Sequence, residues 1–113
     1  MSGQDLFNDE QYKLDELSAS INKLCENGKK FAQAEKDYKV ALSKKALELK
    51  SNGMAVTLID KVIYGIEEIA ELRFNRDVAE VLYNANQEHI NTTKLQLRLL
   101  DNQIEREWTR KDE

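Results

Sequence analysis

A chain of 113 residues has room for one domain, and 34% charged residues with no proline are typical of long helices that expose much of their circumference. The single cysteine excludes an intramolecular disulfide and favours a reducing compartment, so we expect a cytoplasmic protein. No window reaches the ~18 apolar residues of a membrane helix, and the first twenty residues lack the pattern of a secretory signal.

The net charge of −4 is unevenly distributed along the chain. Residues 1–28 carry −4 and residues 66–113 carry −4, whereas residues 29–50 carry +4, with seven lysines against three acidic residues. Polyanion binding depends on local charge more than on the total. The basic segment is therefore the first place to look for a nucleic-acid partner.

Residues 1–10 are polar and are predicted to form a flexible segment ahead of one helical domain over residues 11–113. A first helical arm is predicted over residues 11–51, because apolar residues recur there at steps of three and four. Gly28 destabilises a helix interior by about 1 kcal/mol relative to alanine, so a kink or short loop is expected near Asn27 and Gly28. The predicted stripe comprises Leu14, Leu17, Ile21, Leu24, Gly28, Phe31, Glu35, Tyr38, Leu42, Lys45 and Leu49.

A connector is predicted over residues 52–65, between the arm and a return helix. Gly53 supplies the left-handed residue that ends an α-helix at little cost. Thr57 is predicted to cap a short helix, with Asp60 three positions on as the acidic member of a capping box. A strand in this segment would have no partner, so the helical interpretation is preferred. Gly65 then marks a bend.

The return helix is predicted over residues 66–110. The fold class is therefore all-α, a long antiparallel helical hairpin with a short connecting helix. The apolar positions of the return helix are Ile66, Ile69, Ala70, Phe74, Val78, Val81, Leu82, Ala85, Leu95, Leu99, Leu100, Ile104 and Trp108.

The leucines of the segment KLQLRLL face nearly every direction around the return helix, whereas two antiparallel helices bury only one stripe each. Helical hairpins commonly complete their cores by oligomerising, so we expect a homo-oligomer. The predicted oligomer interface comprises Leu95, Leu97, Leu99, Leu100, Ile104 and Trp108.

The sequence holds no pattern typical of an enzyme. His89 is the only histidine, and Glu88 beside it cannot form the Glu-x-x-His pairs of a di-iron bundle, which must occur twice. The nucleophile-elbow and phosphate-loop patterns are missing from the sequence. Glu67, Glu68 and Glu71 match the positive end of the helix dipole. We therefore expect no catalytic residue, no metal site and no cofactor.

The polar stretch YNANQEHINTT, residues 83–93, interrupts the apolar face of the return helix. It fits a solvated surface, buried hydrogen bonds that fix the register of an oligomer, or a lining for a partner. Two interpretations also remain open for Arg73 and Arg76. They form ion pairs with Asp77 and Glu80 at i+4 spacing, or they contact a phosphate.

The segment KKFAQAEKDYKVALSKKALELK, residues 29–50, interleaves Phe31 and Tyr38 with seven lysines. Single-strand binders use such a combination to hold the nucleic-acid backbone and stack the bases. The other interpretation is a solvated helix face with the two rings in the core. The predicted nucleic-acid-binding residues are Lys29, Lys30, Lys36, Lys39, Lys44, Lys45, Lys50, Arg73 and Arg76.

Residues 29–110 resemble the UvsY-type recombination mediators of tailed phages. The similar features are the lysine-rich segment, a connector that ends in glycine, and the return helix AELRFNRDVAEVLYNANQEHINTTKLQLRLL. The resemblance implies a non-enzymatic, oligomeric accessory protein of phage DNA recombination that helps a recombinase load on single-stranded DNA. A recombinase or a single-strand binding protein would be its protein partner, in the cytoplasm of the host cell.

Two other classes of function stay open. The first is a phage-encoded protein interaction module, an inhibitor of a host factor or an assembly chaperone, that binds no nucleic acid. It predicts that charge reversal of the lysines leaves activity untouched, whereas changes at Leu97 or Trp108 abolish it. The second is a coiled-coil spacer, which predicts a fixed oligomeric state and no ligand.

Overall fold

The computed structural model describes residues 2–111, and the prediction of an all-α helical hairpin is confirmed. Helix α1 spans Gly3–Ser51, helix α2 spans Val56–Val62, a 3₁₀ turn spans Ile63–Gly65, and helix α3 spans Glu67–Lys111. The two long helices pack against each other in antiparallel orientation. No strand occurs among residues 2–111.

Helix α1 begins earlier than the sequence predicted. The hydroxyl of Ser2 accepts a hydrogen bond from the backbone N–H of Asp5 at 3.2 Å, which satisfies one of the free donors at the helix start. Most of the segment predicted as flexible, residues 1–10, is therefore helical from Gly3 onward, and Met1 lies outside the described residues.

The loop expected near Gly28 is wrong, because α1 continues through this residue. A Cβ atom at position 28 would lie 3.3 Å from Cε2 of Tyr83, closer than ordinary van der Waals contact. Glycine at this position thus gives space to the ring of Tyr83 on α3. The residue serves packing between the helices and does not end α1.

The predicted end of the first arm is confirmed. Gly53 has a φ of 90°, the left-handed conformation that glycine adopts without strain. The N–H of Met54 donates to the carbonyl of Leu49 at 3.1 Å, and the N–H of Gly53 donates to the carbonyl of Lys50 at 3.0 Å. These two bonds form a Schellman motif, which satisfies carbonyls at the end of α1.

The cap predicted at Thr57 is wrong. Ala55 occupies the N-cap position of α2, with no side-chain hydrogen bond, and its carbonyl accepts from the N–H groups of Leu58 and Ile59 at 3.0 Å. The position of α2 follows from burial, since Ile59 is buried in the core. A fully buried isoleucine stabilises a fold by about 1.5–3 kcal/mol, more than a typical cap.

The chain divides into two compact units, and the second unit, residues 27–83, holds the larger apolar core. Tyr38, Ile59, Ile63 and Ile69 are buried together there. The connector thus closes the end of the hairpin in this unit. The partly buried side chains around this cluster are Ala41, Leu42, Ala46, Leu49, Met54, Ile66 and Leu72.

The first unit, described over residues 2–26 and 84–111, has a more polar interior. Its buried residues include Leu6 and Ile90, but also Ser20 and Thr93. No buried side-chain nitrogen or oxygen among the described residues lacks a hydrogen-bond partner. Polar groups therefore lie in this interior without the penalty of an unmade hydrogen bond.

Nine of the eleven residues of the stripe predicted for α1 are buried or half-buried, and two are exposed. In α1 the stripe is partly wrong, since Leu14 and Ile21 are exposed whereas Leu6 and Ser20 are buried. Ser20 is a small polar residue, so a pattern of apolar residues does not identify its buried position. In α3 the seam that faces α1 comprises Ile69, Leu72, Arg76, Ala79 and Tyr83 in the second unit, and Asn86, Ile90, Thr93, Leu97, Leu100, Ile104 and Glu107 in the first.

Candidate functional site

Exposed lysines of α1 in the second unit form a row along one side of the helix. Lys29, Lys36 and Lys50 are separated by multiples of seven residues, so they return to nearly the same angular position. Lys44 lies about 100° around the helix from the angular position that these three residues share. All four are exposed and make no ion pair with any residue that the structure describes. We call these four residues the lysine row.

Two of the remaining predicted lysines have acidic partners in their own chain. Nζ of Lys39 lies 3.6 Å from Oε1 of Glu35, and Nζ of Lys45 lies 3.2 Å from Oε2 of Glu48. Lys30 also has an interaction partner. A carboxylate beside a lysine reduces the charge available to an external phosphate, so Lys39 and Lys45 contribute less than the lysine row.

The two aromatic residues of the basic segment face inward, so the interpretation that they stack bases is wrong. Tyr38 is 5% exposed in the core of the second unit. The ring centroid of Phe31 lies 6.0 Å from that of Tyr83, within the range of aromatic pairs. Both rings belong to the packing between α1 and α3. What the segment offers to solvent is therefore charge.

The two arginines predicted to bind phosphate are held by their own chain. The guanidinium of Arg76 lies 4.7 Å from the ring centroid of Tyr38, and its Nη2 lies 2.8 Å from Oδ1 of Asp77. The hydrogen bond to Asp77, together with the charge of its carboxylate, raises the pKa of Arg76. Arg73 lies 5.6 Å from the ring of Tyr64. The contacts of Arg76 with Tyr38 and of Arg73 with Tyr64 are cation–π interactions.

The polar stretch is divided between the seam and the surface. In the first unit, Nδ2 of Asn86 donates to the carbonyl of Ser20 at 3.0 Å, and the hydroxyl of Thr93 donates to the carbonyl of His89 at 2.8 Å. Nε2 of His89 lies 3.2 Å from Oε1 of Glu16. The contacts of Asn86 with Ser20 and of His89 with Glu16 join α3 to α1 in this unit, whereas the bond of Thr93 stays within α3. The amide residues Asn84, Gln87 and Asn91 are exposed.

The predicted oligomer-interface residues fall into two groups in the first unit. Leu97, Leu100 and Ile104 are half-buried in the seam with α1. Leu95, Leu99 and Trp108 are exposed. Only the second group therefore presents apolar surface to another molecule.

A second apolar stripe lies on the side of α3 away from α1, and two of its members, Leu95 and Leu99, belong to the predicted oligomer interface. Each member follows a seam residue by two positions, about 200° around the helix. In the second unit Phe74 is 63% exposed and Val81 is 66% exposed. In the first unit Leu95 is 51% exposed. We call Phe74, Val78, Val81, Leu95 and Leu99 the outer stripe.

The outer stripe has a sequence signal of its own. Phe74, Val78 and Val81 follow one another at steps of four and three, and Leu95 and Leu99 continue the same heptad positions. The signal is visible once α3 is seen to carry two heptad series. An apolar count that assumes one face per helix merges the two series into one broad face.

Residues 2–111 contain no group of three or more side chains that could hold a metal ion. Cys25 is exposed in the first unit. Across the same residues, every helix is too polar or too short to cross a bilayer.

The chain was compared with models of protein families, with curated proteins and with solved structures, and none of the three comparisons found a match.

Proposed function

We propose that this protein is a non-enzymatic accessory protein of phage DNA recombination or replication that binds single-stranded DNA through the lysine row. The observation that carries the proposal is the common orientation of Lys29, Lys36 and Lys50 on the exposed side of α1, without acidic partners in the described chain. It agrees with the family resemblance of the basic segment. The proposed site of action is the cytoplasm of the host cell.

The chemical groups that the lysine row exposes determine how it would bind DNA. The exposed side of this segment carries ammonium groups and no aromatic ring of the segment, so contacts go to phosphates and carry no base sequence preference. Three or four lysines in one chain neutralise few phosphates. Several copies on one strand multiply the contacts, and the affinity then falls steeply as salt rises.

The accessory role rests on the charge distribution. Residues 1–28 and 66–113 each carry −4, so they are available to a basic partner while the lysine row holds DNA. We assign this partner to a recombinase or a single-strand binding protein. The protein would then bring the recombinase to the strand and speed its loading, without chemistry of its own.

The test is fluorescence anisotropy of a labelled oligothymidine across a salt series. In the K29Q/K36Q/K50Q variant we expect affinity to fall and the slope of log affinity against log salt to decrease by roughly 0.7 for each phosphate that is no longer neutralised. The matched control is K23Q/K61Q/K94Q, which removes the same charge from exposed lysines outside the basic segment. Equal weakening in both variants, or no salt-sensitive binding of the unchanged protein, would contradict the proposal.

One observation favours a second function, that of a protein interaction module without nucleic acid. The outer stripe exposes apolar surface that the hairpin itself does not use. A protein interaction module predicts that the lysine variants still bind the partner protein, whereas L95E and W108E no longer bind it. Leu97 is unsuitable as a probe because it is half-buried in the hairpin, so its replacement changes folding.

A further inference from the structure

We infer that the first unit carries a docking groove for a basic helix of a partner protein, which places an apolar side chain beside Trp108 and an arginine or lysine on Glu10 and Asp101. This inference deepens the proposed function and rests on it for the role of the partner. The place and the chemistry of the groove follow from residues 3–21 and 94–108, all of which belong to the first unit.

The centre of the groove is an open cleft of about 410 Å³ between the beginning of α1 and the end of α3. Its apolar walls include Phe7, which is 56% exposed, and Trp108, which is 65% exposed. A cleft of this volume holds a bulky side chain, and aromatic residues supply much of the energy of protein interfaces. We call it the aromatic cleft, and its lining residues are Gly3, Gln4, Phe7, Ile104, Glu107 and Trp108.

The apolar wall of the aromatic cleft continues along α1. Leu14 and Ile21 follow Phe7 by one and two heptads, so the three side chains leave α1 at nearly the same angle, and all are exposed. The series covers about 21 Å of helix. An amphipathic helix that lies in a groove buries apolar residues over such a length, whereas a small molecule does not. The occupant is therefore a polypeptide.

A pair of carboxyl groups borders the aromatic cleft. Glu10, one turn from Phe7, shares a hydrogen bond with Asp101 across α1 and α3. Asp101 precedes Trp108 by one heptad, so both side chains leave α3 on the same side. Two carboxylates in contact repel each other, and a cation placed on both removes this unfavourable interaction.

The nearest cations of the chain do not neutralise the carboxyl pair. On α1, Nζ of Lys13 lies 3.0 Å from Oε2 of Glu16. On α3, Arg98 and Lys94 precede Asp101 by one and two turns, and neither forms an ion pair with it. The groove thus presents apolar surface next to uncompensated negative charge, and the complementary partner is apolar and basic.

The distance along the groove between the aromatic cleft and the carboxyl pair sets the spacing of the partner's side chains. Glu10 follows Phe7 by about 4.5 Å of helix rise, and Asp101 precedes Trp108 by about 10.5 Å. An apolar residue and an arginine four positions apart on a helix are separated by about 6 Å, within that interval. The partner helix is therefore expected to carry this pair on one face.

Trp108 is the only tryptophan, so its emission reports on the aromatic cleft in the full chain, without DNA. The probe is a helical peptide of alanine and glutamine, with leucines at heptad steps and an arginine four positions after the first leucine. We expect a saturable blue shift of the emission. Peptides with glutamate in place of the arginine, or alanine in place of the leucines, should bind roughly tenfold more weakly. No shift, or equal shifts with all three peptides, would overturn the inference.

Two variants of the protein test the apolar wall. F7A should weaken the binding of the leucine–arginine peptide roughly tenfold, because it removes one side of the aromatic cleft. Y12A is the matched control, since Tyr12 is an exposed aromatic residue of α1 outside the groove, and it should bind as the unchanged protein does.

Two further variants test the carboxyl pair. E10Q/D101N should weaken the binding of the same peptide roughly five- to tenfold. The control D5N/D9N removes the same charge from exposed residues of α1 outside the groove and should have little effect. Equal weakening by either variant and its control would contradict the assignment.

The remaining outcomes separate this inference from the proposed function. A shift of the Trp108 emission that follows protein concentration alone would mean that a second copy occupies the groove, which overturns the inference. Salt-sensitive DNA binding without peptide binding would refute only the docking groove. Peptide binding without DNA binding would support the groove and refute the proposed binding of DNA.

Discussion

Gly53 and Gly65 both lie in the connector, but only one of them needs to be glycine for its backbone. Gly53 has a φ of 90° and follows α1, whereas Gly65 ends the 3₁₀ turn outside the left-handed region. An added Cβ would meet no atom within 4 Å at either position. Substitutions at the two positions therefore differ in backbone strain but not in steric contact.

We predict that Gly53→Ala destabilises the fold by about 1–2 kcal/mol, because alanine is strained in the left-handed conformation. Gly65→Ala is the matched control and should change the free energy of unfolding by less than about 0.5 kcal/mol. Urea titrations followed by circular dichroism measure both. Equal destabilisation by the two variants would contradict the assignment of strain to Gly53.

At the scale of the helix pair, the first unit holds two carboxyl groups together across α1 and α3. A side-chain hydrogen bond with Asp101 raises the pKa of Glu10, and burial and the charge of Asp101 raise it further. The folded state therefore keeps a proton that the unfolded state loses once the pH rises above the ordinary value of 4.5. Stability consequently falls as the pH rises through the interval between that value and the raised pKa.

We predict that Glu10→Gln removes this pH dependence and stabilises the protein at pH 7 by about a few tenths of a kcal/mol, as for other solvent-screened pairs. The amide of glutamine donates to Asp101 as the protonated carboxyl does. Thermal unfolding of both proteins between pH 4.5 and 7.5 measures the effect, with Glu105→Gln on the exposed side of α3 as control. A pH profile of the E10Q variant that runs parallel to that of the unchanged protein would show that the carboxyl pair is not its source.

Much of the secondary structure could be predicted from local residues, but the side of each helix that is buried could not. The end of α1 follows from Asn52 and Gly53, whose conformational preferences act over a few residues. The orientation of α3 depends on which of two heptad series meets α1, and both series are apolar. The inward position of Asn86 depends on a hydrogen bond with the carbonyl of Ser20, which only the fold brings near, whereas the hydroxyl of the buried Thr93 bonds to the carbonyl of His89 one turn earlier in α3.

The charge of the candidate site could be predicted from the sequence, but the intramolecular contacts of its residues could not. The seven lysines were visible in the sequence, but their partners were not. Glu35 and Glu48 neutralise two of them at i−4 and i+3 spacings, and Tyr38 lies inside because its seam position faces α3. Sequence patterns give the residues of a helix surface, whereas packing decides which of them remain available.

At the scale of the whole molecule, the two units differ in what their interiors bury. The second unit buries an apolar cluster that includes the connector, whereas the buried residues of the first unit include Ser20 and Thr93. Buried apolar contacts determine how often a segment opens locally. The difference in composition therefore predicts a difference in local stability.

We predict that backbone amides of residues 31–49 exchange with deuterium at least tenfold more slowly than those of residues 10–24, although both segments belong to α1. Hydrogen exchange followed by mass spectrometry or NMR measures this difference. Short peptides from each segment supply the intrinsic exchange rates as reference. Uniform protection along α1 would show that the helix opens as a single cooperative unit.

Trp108 is the only tryptophan of the chain, and it lies on α3 in the first unit with its ring largely exposed. Its intrinsic emission consequently monitors that unit, while far-ultraviolet ellipticity averages over all the helices. If the units open at different free energies, emission changes at lower denaturant concentration than ellipticity, and a two-state fit to either signal alone misstates the stability of the protein.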